Sequence, residues 1–313
     1  MHIDATNAEA RTILKAMHGI AAAGPKVTDA DRASIAAAAR YIFKQTLAPD
    51  LADLTPPTQQ ELTALASKPA LATEAVSFAT VMAFVDGNLD DAKLAAVLEL
   101  AATLGVKADF VHDIADVAQG HVRDATAHMI RANLESLTGK PWTSDADAAA
   151  WFQPYKGKAD PALAARFRAL ADLPADSFGH AFAVFYLSQK YAFPGEEAAL
   201  NFNFAVPHDS SHLLAGYDTS TRGELLVSTF TAAMHGKEAM SGHVLPVIFS
   251  WHLGIKLLDV AGSATGSLDP QEFWHAWARG EQMKVDLFGP NWDFWTEARR
   301  PLAEVRARVG VSA

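Results

Sequence analysis

The chain has 313 residues, 50% of them hydrophobic and 20% charged, which supplies a sizeable core and enough length for two domains. A net charge of −10 with only 26 Lys and Arg argues against nucleic acid as a partner, because no basic face is available for a phosphate backbone. With no cysteine, disulfides, thiolate zinc fingers, iron–sulfur clusters and thiol nucleophiles are excluded, so any metal must take nitrogen and oxygen ligands. Glycine and proline number 19 and 15, leaving long intervals filled with alanine and other helix formers. An all-α fold is expected. The start lacks a basic segment followed by an apolar one, so it does not read as a signal peptide, and a cytoplasmic location is the expectation.

In chain order, an acidic first turn at Asp29 and the spacing of Ile35, Ala38, Ala39, Ile42 and Phe43 predict an amphipathic helix. Pro56 and Pro57 interrupt the pattern. It resumes through Leu62, Leu65 and Ala66, then Ala75 to Phe84, and turns at Asp86-Gly87. A further helix is expected from Asp90 or Asp91, with Asp86, Asp90 and Asp91 read as caps. The phrase AFVDGNLDDAKLAAVLELAATLGV echoes the earlier AAAGPKVTDADRASIAAAARYIF, a weak internal repeat. This stretch resembles the tellurite-resistance TerB-like helical module: an Ala-rich helix, an Asp-Gly turn, an acidic cap and a Leu-rich helix.

After a helix through Met129, Ile130 and Leu134, residues 137–161 mix Gly, Pro, Ser and Lys with two tryptophans and lack a sustained period. A boundary is placed near 140 to 160, giving a helical domain over 1–150 and a multi-helix bundle over 151–313. In the second, helices are expected near 161 to 172, 176 to 192, 195 to 216, 222 to 237, 243 to 260, 270 to 287 and 291 to 308. The most apolar stretch, Val244 to Leu258, is interrupted by Pro246, His252 and Lys256 and is shorter than the roughly 20 residues of a spanning helix.

The chemistry concentrates in VPHDSSHLLAGYDTSTRGELLVSTF, which carries His208, Asp209 and His212, then, after eleven residues, Glu224. On a helix, positions 208 and 212 share a face with Cβ atoms about 5 to 6 Å apart, suited to two imidazoles on one cation. Asp209 points about 100° away, so it either ligates at the edge of the site or orients an imidazole. Gly216 is placed to end this helix, and residues 218–221 turn the chain into a second helix that brings Glu224 back toward the histidines. Each residue also has a plainer reading. Thr221-Arg-Gly-Glu224 fits a capping box, His208 and His212 fit core or surface histidines, and Asp209 fits a helix start behind Pro207. Zinc, iron(II) and manganese all suit the donors, with zinc named first.

His-Asp-x-x-His followed after eleven residues by Glu resembles the signature of the fourth coenzyme Q biosynthesis protein family. Upstream, LPADSFGHAFAVF at 173–185 is similar to that family's helix entry. Downstream, Arg279-Gly280, Asp286-Leu287, Trp292, Trp295 and residues 301–306 are similar to its tail. The resemblance covers about residues 160–310. It implies an all-helical, metal-binding protein peripheral to the inner face of a membrane, tied to ubiquinone assembly. Its expected ligand is a prenylated quinone precursor or another isoprenoid lipid, and its expected reaction an oxidative ring decarboxylation. The alternatives are a non-catalytic prenyl-lipid scaffold for partner enzymes and a TerB-like metal or envelope-stress component; a homodimer is an expected assembly. The chain departs from the family in its additional 150 N-terminal residues and in Ser210-Ser211 and Leu213-Leu214. Tyr217 and Arg279 are candidates for contacting a polar head group. His235, His243, His252 and His275 read as structural histidines, and Trp274, Trp277, Trp292 and Trp295 as core residues that lock the terminal helices together.

Overall fold

The computed structural model describes residues 4–48, 51–257 and 262–311. Among them the protein is all-helical, without strands; the extended pairings are two isolated bridges, Ser177 with Pro301 and Leu253 with Thr265. No described helix is long and apolar enough to cross a membrane.

The N-terminal half contains α1 (Asn7–Ala23), α2 (Asp29–Tyr41), α3 (Gln59–Ala66), α4 (Pro69–Phe84), α5 (Asp91–Leu104), α6 (Asp109–Ala118) and α7 (Val122–Thr138). Thr6, Thr28 and Thr58 open α1, α2 and α3 with reciprocal capping boxes to Glu9, Asp31 and Glu61, which satisfies backbone donors that would otherwise be orphaned. The two echoing phrases are both helix–turn–helix units, α1–α2 and α4–α5. Asp31 and Lys93 occupy the same third helical position in α2 and α5, and they pair with each other in the interior. Lys93 Nζ lies 2.9 Å from Asp31 and 2.7 Å from Asp86, at 1% exposure for the lysine and 0% for Asp31. Of the aspartates expected to cap, Asp90 does, accepting from Ala92 and Lys93 backbone N–H. Asp86 instead completes the Lys93 triad while its other oxygen accepts from Asn88 N–H.

The second half follows with α8 (Asp145–Phe152), α9 (Pro161–Arg168) and its 3-10 extension Ala169–Asp172, α10 (Phe178–Gln189), α11 (Phe202–Ala215) and α12 (Thr221–His235). A π-helix over Ala239–Val244 leads into α13 (Leu245–Trp251), and α14 (Pro270–Glu281), α15 (Phe294–Glu297) and α16 (Leu302–Val309) complete the chain. Four expected helices are shorter or broken, one of them the 270 to 287 helix, which stops at Glu281. Residues 195–201 are non-helical before the Asn201 cap of α11. The 243 to 260 helix stops at Trp251, residues 252–257 are non-helical, and 258–261, including Leu258, lie outside the described residues. Over 291 to 308, Arg300-Pro301 separates α15 from α16, because the residue before a proline is driven out of the helical region.

Two apolar cores form, and they do not divide at the boundary expected near 140 to 160. The first joins α1–α7 to α12, the π-helix, α13 and α14, through Leu225, Val244, Leu245, Phe249, Phe273, Trp274 and Trp277. Trp274 packs edge-on to Phe78 at 4.5 Å and donates its indole N–H to Ser34 Oγ at 2.8 Å. The second core gathers Phe167, Phe178, Phe182, Tyr186, Phe294 and Val305. The late tryptophans therefore split: Trp274 and Trp277 bind the N-terminal half, whereas Trp292 and Trp295 serve the second core. Gly280 lets α14 lie directly on α12, since a Cβ there would stand 2.2 Å from the Phe230 carbonyl oxygen.

Candidate metal centre

His208 and His212 stand one turn apart on α11, and Glu224 faces them from the first turn of α12. Among the described residues these three form a group able to hold a metal ion. The two Nε2 atoms are 3.3 Å apart, and Glu224 offers Oε2 to His208 and Oε1 to His212, each at 3.5 Å. Ligands about 2.0–2.1 Å from a tetrahedral cation are separated by about 3.3–3.4 Å, so the spacing matches the edges of a coordination polyhedron.

Local sequence explains why these atoms converge. Gly216 closes α11 in the left-handed region at φ 78°, as expected. The cap of α12 falls one residue earlier than the capping-box reading required: Ser220, not Thr221, accepts from the backbone, and its third-position partner is Gly223. Gly223 is required because Asp218 folds over it, with its carbonyl oxygen 2.0 Å from where a Cβ would be. Glu224 is thereby released from capping and turned to the histidines. His212 Nδ1–H donates to the Tyr217 carbonyl at 3.1 Å, which fixes the ring with Nε2 facing the site. Phe204 and Phe185 stack on the His208 and His212 rings at 5.1 and 6.0 Å.

Asp209 is not brought into the three-residue group. Its carboxylate accepts a hydrogen bond from the buried Tyr186 hydroxyl on α10, a partner the sequence reading missed. Tyr217 and Arg279 also do not line the cavity beside the site. Arg279 donates to the Tyr217 hydroxyl at 3.0 Å and to the Ala215 carbonyl at 2.9 Å, and Arg306 donates to the Leu213 and Leu214 carbonyls. The two arginines satisfy the open C-terminal carbonyls of α11, and Tyr217 supplies the carbonyl that orients His212. Three of the remaining histidines are bonded within the fold: His235 to Asp286 and the Ser136 carbonyl, His243 to Ser136 Oγ, and His252 to Val85 and Leu268. His275 lies against Tyr41.

Burial opposes charge at the centre, yet Glu224 is held far below the ordinary carboxylate range by hydrogen bonds from His208 and His212. Burial likewise favours neutral His208, but the Glu224 hydrogen bond and charge outweigh it and hold the imidazole above its ordinary value. Burial raises Asp209, and burial together with the Asp209 charge raises Tyr186 well above the ordinary phenol value. A cation must displace the proton on His208. Metal affinity is therefore expected to be full above the raised His208 pKa and to fall about tenfold per pH unit below it, starting above pH 6.5. Metal titrations between pH 6 and 8 check this; a flat profile would exclude His208 as a ligand.

The group opens on a cavity of about 950 Å³ that is lined mainly by apolar side chains. Its walls come from α11 and α12, from Tyr191 and Leu200 in the α10–α11 connection, from Pro246 and Trp251, and from Phe152 of α8. Met129, Ile130 and Leu137 of α7 close it, so the N-terminal half contributes to the site. Glu224, Ser228 and Thr231 line it at helical spacing, a pattern that was readable in the sequence. Compared with protein-family models, with curated proteins and with solved structures, the chain matches none at a significant level.

Proposed function

We propose that the protein is a metal-dependent enzyme acting on a prenylated aromatic or quinone precursor held in the apolar cavity, with oxidative ring decarboxylation as its reaction. The observation that carries this reading is the His208, His212 and Glu224 group at the wall of a cavity of about 950 Å³. The motif resemblance supplies the substrate class. With Asp209 bonded to Tyr186, the donor set reduces to two imidazoles and one carboxylate, which leaves coordination positions for substrate and co-ligand. That set is shared by catalytic zinc sites and by non-haem iron(II) oxygenases, and iron suits the redox step better than zinc. A bound cation would polarise a phenolate or carboxylate oxygen and, as iron, support oxygen chemistry. In the overall reaction the ring–carboxyl bond breaks and carbon dioxide leaves, a ring C–O bond forms to one atom of dioxygen, and the other atom leaves as water on two protons and two electrons from an added reductant.

The chain's own residues have defined parts. His208, His212 and Glu224 hold the cation, Tyr217 fixes the His212 tautomer, and the apolar walls take the isoprenoid chain and exclude water. The test is turnover of a prenylated hydroxybenzoate by protein loaded with iron, zinc or manganese, read as carbon dioxide and hydroxylated product. Glu224→Gln is expected to lower the rate by more than about 100-fold, since removing a Lewis acid is worth several kcal/mol. Substrate binding without turnover under any metal would instead support a prenyl-lipid scaffold.

A further inference from the structure

The cavity has a second polar locus one helical turn from Glu224. Ser228, at i+4 from Glu224 and so about 6 Å further along the α12 axis, donates from Oγ to the backbone carbonyl of His243 at 2.9 Å, which ties the His243 backbone to that turn. His243 is buried, lines the cavity and stands in the π-helix Ala239–Val244, whose preceding residue Glu238 has φ 45°. Such wide turns are rare and strained, and they concentrate at functional sites. Here the N-terminal half grips three successive residues of the turn. Asp113 accepts from Ser241 Oγ at 2.6 Å, Asn133 Nδ2 donates to the Gly242 carbonyl at 2.8 Å, and Ser136 Oγ lies 3.0 Å from His243 Nε2.

Counting protons assigns the ring. Ser136 Oγ donates its single proton to the Asn133 carbonyl at 2.7 Å, so toward His243 it acts as acceptor and Nε2 carries the hydrogen. Burial, reinforced by His235 and His208, pushes the His243 pKa down to about 3, so the ring is neutral at physiological pH. Its lone pair is then on Nδ1, which has no hydrogen-bond partner among the described residues.

We infer that His243 is a binding residue of the cavity, whose Nδ1 accepts a hydrogen bond from a ligand hydroxyl while another oxygen of the same ligand meets the metal group. The ligand class is an aromatic ring with two oxygen functions on an apolar chain. This rests on the metal-and-cavity reading above.

The experiment uses zinc-loaded full-length protein and two probes, 4-hexylresorcinol and 4-hexylphenol, with binding followed by fluorescence of Trp251 in the cavity wall. Wild type is expected to prefer the diphenol by about tenfold, as a site built around a hydroxyl rejects the analogue that lacks it. His243→Phe should abolish the preference. His243→Asn, whose carboxamide oxygen can stand where Nδ1 does, should keep it, and zinc content should be unchanged in both. Ser136→Ala, which leaves the ring free to change tautomer, should weaken the preference even if the phenylalanine variant fails to fold. No preference in wild type, or a preference unchanged in both His243→Phe and Ser136→Ala, would overturn the inference alone. Wild type that binds neither phenol would overturn the cavity reading and the inference together.

Discussion

Lys93→Ala is expected to destabilise the protein by about 3–5 kcal/mol, the cost of leaving a buried charge without its partner. Asp31 is fully buried, and its other oxygen already accepts from Thr28 N–H at 2.8 Å and Thr28 Oγ1 at 2.7 Å, so it cannot turn to solvent without uncapping α2. Asp86 loses the same partner at the α4–α5 turn. One lysine thus ties together the second helices of two related helix pairs, and its removal strands two carboxylates. Replacing Lys93 by Met together with Asp31→Asn and Asp86→Asn should cost much less, because no bare charge remains. Denaturant midpoints followed by circular dichroism decide this. A wild-type midpoint for Lys93→Ala would mean the triad contributes nothing.

Cutting the chain near residue 150 is expected to leave neither half with a cooperative fold. The fragment 1–150 would expose Phe78 and Phe84 of α4, which pack on Trp274, Trp277 and Phe249, and the faces of α2 and α7 that lie against α14 and against the π-helix and α13. Each large apolar side chain buried there contributes about 1.5–3 kcal/mol, so losing several removes most of the 5–15 kcal/mol that holds a typical domain together. Polar ties across the cut are lost as well, among them Ser34 to Trp274 and Asn133 to Gly242. The fragments should unfold without a sharp thermal transition and bind a hydrophobic dye, and co-expression should restore the sharp transition and abolish dye binding. A monomeric 1–150 fragment with a sharp transition would show an independent domain.

Much of the local structure was readable from the residues. Capping at Asp90, the stop at Gly216 and the one-turn spacing of His208 and His212 follow from short-range chemistry, and each stands where the pattern put it. What failed depends on geometry that a linear pattern does not carry. Thr219, Ser220 and Thr221 offer three hydroxyls for one cap, and only the fold of Asp218 over Gly223 selects Ser220 and frees Glu224. Asp209 accepts from Tyr186, 23 residues away on another helix, a partner that no linear pattern reveals. The apolar run from Val244 read as one helix because Leu253, Ile255 and Leu257 continue its apolar character, whereas in the fold they are half-buried in a non-helical segment with Gly254 and Lys256 exposed between them. The boundary near 150 rested on a loop-like composition. That composition is genuine, but a connecting segment does not reveal whether the cores on its two sides are separate.

His208, His212 and Glu224 are expected to bind one metal ion together. The most direct test is elemental analysis of purified full-length protein and of a His208→Ala, His212→Ala variant, both grown with zinc, iron and manganese supplied. Wild type should carry about one equivalent, and the variant none, since losing two of three ligands removes the chelate. Iron would favour the oxidative reaction, and zinc a Lewis-acid or structural role. Wild-type protein that is metal-free and takes up none of the three ions, or a variant that holds as much metal as wild type, would show that these residues do not form a metal site.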